Sequence, residues 1–191
     1  SAGRAAIKSW FRLLKFRWAA ARADRLVFVS HQLQKSWARL SDVGGKSIVI
    51  PNGVDVEAIR RRAKDPCPHS WLNGPTIPVV LGDGRLTEQK NFSTLISAVA
   101  IASKRHPLRL VLIGTGPQRD MLLEKARAAG LSDAVEIIRP VANPMPYISA
   151  AAALALPSWW EGASNVLLEA LACGTPIFAS RAAGSAPPAP G

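Results

Sequence analysis

From residue 78 onward the chain alternates short apolar runs with longer segments of helical spacing, and this alternation restricts the fold more than any other feature. The runs "IPVVLGDG", "LRLVLIG", "AVEII", "ALALPS" and "TPIFAS" have strand length and are rich in Val, Ile and Leu. Between them stand "NFSTLISAVAIASKR", "PQRDMLLEKARAAG", "MPYISAAA" and "SNVLLEALACG", which read as helices. Pro117 sits at the start of the second helix and Gly130 past its end, the usual asymmetry of helix termini. Strands joined through helices of this length imply right-handed βαβ units. The expected class is α/β, a Rossmann-like parallel sheet with helices on both faces.

The first part of the chain has a different texture. In "GRAAIKSWFRLLKFRWAAARADRL", Ile7, Trp10, Phe11, Leu14, Trp18 and Ala21 follow one helical face, flanked by Lys8, Arg12, Lys15 and Arg22. Such a basic amphipathic helix suits either of two settings. It can lie on an anionic membrane surface through residues 4–22, or pack its apolar side on a core. "LVFVS" (26–30) reads as a short buried strand, "HQLQKSWARL" (31–40) as a helix, and "KSIVIPNG" (46–53) as a strand ended by Pro51 and the Asn52-Gly53 turn signal. From Asp55 to Pro78 four prolines interrupt any periodicity. Residues 1–56 are therefore expected to close a first domain, 57–77 to be a linker, and 78–191 to form a second domain. The final "RAAGSAPPAPG" bears no strand or helix signal, so that domain is expected to be truncated.

Charge narrows the partners. The net charge is +11, but residues 1–40 hold nine Lys or Arg against one acid, Asp24. The remainder is only mildly basic, which argues against a nucleic-acid binder. Cys67 and Cys173 lie far apart with no metal-type spacing, the pattern of reduced thiols in a cytoplasmic protein. No apolar stretch approaches the roughly 20 residues of a membrane span.

Ligands of an open α/β sheet bind outside the C-terminal strand ends, and three loops there carry suggestive residues. "GDGRLTEQKN" (82–91) offers Arg85 and Lys90 beside Gly84. An Arg fork and a Lys point charge suit a diphosphate, though two solvated cations on a turn would look the same. "GTGP" (114–117) places Gly114 and Gly116 after a strand; Arg119 stands where a dinucleotide fingerprint needs its third Gly. Those glycines serve either close backbone approach to a ligand or a plain tight turn.

The third loop is "WWEGASNVLLEALACGTP". Ser164 or Asn165 is a suitable N-cap for the helix running on from Val166, and free N–H groups at such a start attract anions. Glu161 precedes the cap and Glu169 lies about one turn into the helix, eight positions on. Two carboxylate acceptors around an anion site fit the sugar and ribose hydroxyls of a sugar nucleotide; a loop Glu and a helix-surface Glu are the plainer reading.

In order, "ADRLVFVS", "IVIPNGVD", "GDGRLTEQKNFSTLISA", "LVLIGTGP", "VANPMPYISAA" and "WWEGASNVLLEALACGTPI" resemble the retaining GT-B fold glycosyltransferases of family 4 (group 1). The likeness spans residues 23–177. It implies the end of an acceptor domain followed by most of a donor-binding domain. By the same resemblance Arg85 and Lys90 contact the donor diphosphate, Glu161 binds the sugar hydroxyls and Glu169 the ribose. The backbone of Gly162, Ala163, Ser164 and Asn165 approaches sugar and phosphate. The implied donor is a nucleotide-diphosphate sugar, a UDP-sugar foremost, and the implied acceptor a saccharide or lipid-linked hydroxyl. No metal or other cofactor is expected, in line with the absence of an Asp-x-Asp motif. Arg139 departs from the family, which commonly has Gly there, and "AAALAL" lacks its usual Asp. A non-catalytic nucleotide-sugar-binding remnant and a sugar-nucleotide epimerase are the alternatives on the same fold.

Overall fold

The computed structural model describes residues 14–39, 44–74 and 77–181. The chain divides into two units, Ser1–Asn52 and Gly53–Gly191.

In the first unit, helix α1 occupies 14–22 of the described residues, so most of the amphipathic segment expected over 4–22 lies outside them. Strand β1 (Leu26–Phe28), helix α2 (His31–Ala38), a 3-10 turn (Gly44–Lys46) and strand β2 (Ser47–Val49) follow. The Ser30 hydroxyl accepts from Leu33 N at 3.2 Å and so caps α2. β1 and β2 pair in parallel, with Val27 opposite Ile48. Alternation along the strand buries Phe28 but leaves Val27 59% and Ile48 45% exposed. The strand expected to be buried is thus buried on one side only.

In the second unit five parallel strands run β5-β4-β3-β6-β7. They are β3 (Val79–Asp83), β4 (Arg109–Ile113), β5 (Val135–Ile138), β6 (Ala153–Leu156) and β7 (Ile177–Ala179). The intervening helices are α4 (Phe92–Ala102), α5 (Arg119–Ala128), α6 (Met145–Ala150) and α7 (Asn165–Cys173). Side chains along β4 divide between the two faces. Val111 and Ile113 join a core with Leu81, Leu154, Ile148 and Leu167. Leu110 and Leu112 join the opposite core with Phe92, Ile96, Leu122 and Ile137. Burial on both faces is why these strands read as continuous apolar runs rather than alternating ones.

The boundary differs from the sequence expectation. Residues 57–77 do not behave as a linker; what is described of them belongs to the second unit. Helix α3 (Val56–Arg62) starts at Asp55, whose carboxylate accepts from Ala58 N at 2.9 Å. Ile59, Cys67 and Leu72 are buried in the core that α6 and α7 share. The segment escapes a periodicity reading because α3 is short and ends in three arginines. The core residues after it are held by turns, which repeat nothing.

Candidate functional site

The chain leaves the middle of the sheet in both directions. β3 leads outward through β4 to β5, and β6 then starts again on the other side of β3. That reversal between β3 and β6 is a topological switch point, where the loops after the two strands part and open a crevice. The loops that follow these two strands are residues 84–91 and 157–164.

Backbone and side-chain bonds tie these loops together. Trp159 N donates to Gln89 O at 2.8 Å. The Gln89 amide donates to Trp160 O at 2.8 Å, and the Asn91 amide to Pro157 O at 3.2 Å. Across this junction Lys90 Nζ lies 2.6 Å from Glu161 Oε1, with the side chains 13% and 9% exposed. Ser158, itself buried, donates to the same Oε1 at 2.8 Å. Both bonds therefore fall on one oxygen, and Oε2 has no hydrogen bond among the described residues. A carboxylate held by one oxygen can still accept hydroxyl donors with the other.

The glycine-containing loop after β4 supports this arrangement from beneath. A Cβ on Gly114 would stand 2.0 Å from the carbonyl oxygen of Gly84, and one on Gly116 2.4 Å from that of Leu86. Leu86 N in turn donates to Thr115 O at 2.9 Å. The two glycines allow the loop after β4 to pack directly on the Arg85 loop, which accounts for both without a ligand.

The expected site residues sort as follows. Arg85 is exposed, and its guanidinium has no partner among the described residues. Gly84 lies against the Lys90 side chain, to which an added Cβ would approach within 2.9 Å. Gly162 and Ala163 are half-buried in the loop before α7. Ser164 occupies the N-cap position, but its hydroxyl makes no capping bond. Asn165 opens the helix at the surface, with Val166 half-buried behind it. Glu169 is half-buried, and burial raises its pKa while Arg62 opposes the rise.

One carboxylate at this site was not singled out from the sequence. Asp83 is the last residue of β3. Burial, and then the charge of Glu169, push its pKa up to about 6, with Lys90 pulling the other way. The available signal was a charge ending an otherwise apolar strand, "VVLGD". Ser158, Gln89 and Arg62 gave no such signal, because their roles come from partners remote in the chain. Among the described residues no cluster of three or more His, Cys, Asp or Glu is placed to hold a metal ion.

Residues 77–189 match the family described as Glycosyl transferases group 1. This chain belongs to that family. The chain is 33% identical over 178 residues to D-inositol 3-phosphate glycosyltransferase 2 of Catenulispora acidiphila, covering 86% of this chain and 42% of that protein. It is 38% identical over 108 residues to the lipopolysaccharide core biosynthesis glycosyltransferase LpsE of Rhizobium meliloti, covering 56% of this chain and 31% of that one. The crystal structure of Anabaena HepE in complex with UDP-glucose superposes with a TM-score of 0.79 at 23% identity, over 91% of this chain and 49% of HepE. The likeness is one of fold: the five-stranded parallel unit shares the α/β architecture of these glycosyltransferase structures. The chain spans less than half the length of these relatives.

Proposed function

We propose that this chain supplies the donor-binding half of a retaining family 4 glycosyltransferase that moves a sugar from a UDP-sugar to a saccharide or lipid-linked hydroxyl. The observation carrying this reading is the Lys90–Glu161 pair at the switch point, which puts a cation and a hydroxyl acceptor side by side. The UDP-glucose complex of HepE, a protein of the same fold, supports the choice of donor class.

In this reading Glu161 Oε2 takes the hydroxyls of the donor sugar. Arg85, Lys90 and the first N–H groups of α7 meet the diphosphate, with the backbone of Gly84, Gly162, Ala163 and Ser164 close to it. Glu169 takes the ribose diol. Charge grows on the diphosphate as the glycosidic bond breaks, so fixed cations and helix N–H groups favour the transition state over the bound donor. No resident metal or cofactor enters this scheme, and turnover is expected to survive EDTA.

Titration with UDP-, GDP- and ADP-sugars, followed by product analysis with and without acceptor, tests it. Binding of none of the three would refute the donor-site reading. Binding without turnover marks a non-catalytic binding unit, and conversion of donor alone marks an epimerase. We also propose peripheral contact of residues 4–22 with anionic membranes, supported by the exposed Leu14 and Trp18 of α1. Liposome binding that ignores both anionic lipid and salt would exclude it.

A further inference from the structure

Among the described residues Asn91 alone, glycines apart, has a left-handed backbone, at φ 52° and ψ 35°. It stands between the 3-10 turn Glu88–Lys90 and the first residue of α4. That backbone strains any side chain, though Asn less than most, and glycine adopts it freely. A strained residue persists where its surroundings fix it. Helix capping is not what keeps Asn91, because its side chain bonds no N–H of α4. Its amide instead donates to Pro157 O at 3.2 Å, across the switch point. Asn91 Oδ1 accepts from the Thr94 hydroxyl at 2.8 Å, which fixes the way the amide faces.

Asn91 ends a run of three residues that all reach the loop after β6. Gln89 bonds both Trp159 and Trp160, and Lys90 pairs with Glu161. The Asn91 bond falls at Pro157, where the chain leaves β6, and so sets where that loop begins. The next residue, Ser158, carries the hydroxyl that donates to Glu161 Oε1. A shift at Pro157 is therefore passed through one peptide to Ser158, and from there to the carboxylate.

We propose, on the sugar role given to Glu161 above, that Asn91 is a positioning residue for donor-sugar recognition. Its side chain locks the start of the Glu161 loop to the Lys90 loop, so that Glu161 Oε2 stays aimed at the sugar hydroxyls. The Lys90–Glu161 pair alone leaves that aim loose, since a Lys is a point charge on a flexible stem. A planar amide bonded at both its nitrogen and its oxygen admits far fewer geometries. Placing one acceptor oxygen within hydrogen-bond range of a hydroxyl needs that restriction.

Calorimetric titration of the chain with UDP-glucose and UDP separates sugar recognition from diphosphate binding. Asn91→Gly keeps the left-handed backbone and removes the amide. It should weaken UDP-glucose about fivefold and change UDP by less than about twofold. The melting temperature should stay within about 2 °C of the parent, since relieved strain offsets the lost bond. Glu161→Gln supplies the reference and should weaken UDP-glucose about tenfold. Adding Asn91→Gly to it should cost less than about a further twofold, because both changes act through one carboxylate. Unchanged UDP-glucose affinity in Asn91→Gly, or equal losses for UDP-glucose and UDP, would overturn the proposal. Full additivity in the double variant would overturn it too, since Asn91 would then act apart from Glu161. Unchanged UDP-glucose affinity in Glu161→Gln would instead overturn the sugar role of Glu161, and the proposal with it.

Discussion

Lys90 and Glu161 are 71 residues apart in the chain, yet Nζ and Oε1 lie 2.6 Å from each other with both side chains largely shielded from water. Charges so placed are stable only as a pair, since either one alone would remain desolvated without a counter-ion. Lys90→Met should therefore destabilise the fold by about 3 kcal/mol, and adding Glu161→Gln should recover a large part of the loss. Urea denaturation of the two single variants and the double variant measures the coupling. Additive losses would mean that the pair is not a unit.

Arg85 makes the opposite prediction. It is exposed and has no partner among the described residues, so Arg85→Ala should leave the melting temperature within about 2 °C of the parent. UDP affinity should nevertheless fall roughly tenfold, by an amount that shrinks in 0.5 M salt. A melting shift as large as that of Lys90→Met would place Arg85 in the scaffold.

The loop packing can be tested through Gly114, whose Cβ would meet a backbone oxygen at 2.0 Å. Backbone cannot swing aside as a side chain can, so Gly114→Ala should cost at least about 3 kcal/mol and weaken UDP binding by moving the Arg85 loop. Gly45→Ala, where nothing lies within 4 Å of an added Cβ, should change stability by less than about 0.5 kcal/mol. Comparable thermal shifts for the two variants would contradict the observed contact.

Asp83 predicts a pH dependence with a definite sign. Its folded pKa of about 6 exceeds the ordinary 3.8, so the folded protein holds this proton more tightly than the unfolded chain does. The stability that follows is complete below about pH 4 and is lost as pH rises through about 6. Asp83→Asn cannot ionise and should melt higher than the parent at pH 7.5, the two curves converging near pH 4. A difference that grows toward acid would show that the carboxylate is stabilising instead.

Some of this was available from the chain alone, for a local reason. The strand and helix runs from Val79 to Ala179 each declare themselves within five to fifteen residues, and parallel order follows because helical crossovers permit little else. The candidate loops follow equally from sequence, since Gly84, Arg85 and Lys90, and then Glu161, come just after strands, with Glu169 in the helix beyond. The segment carrying α3 was not legible. Ile59, Cys67 and Leu72 reach the core at irregular intervals, and no period marks them. Tertiary structure alone decided that Lys90 faces Glu161 rather than water and that Gly114 makes room for Gly84. Each of these depends on where separate loops converge at the β3–β6 switch point. Strand order sets that convergence, and local sequence carries spacing along the chain but no measure of distance across a sheet.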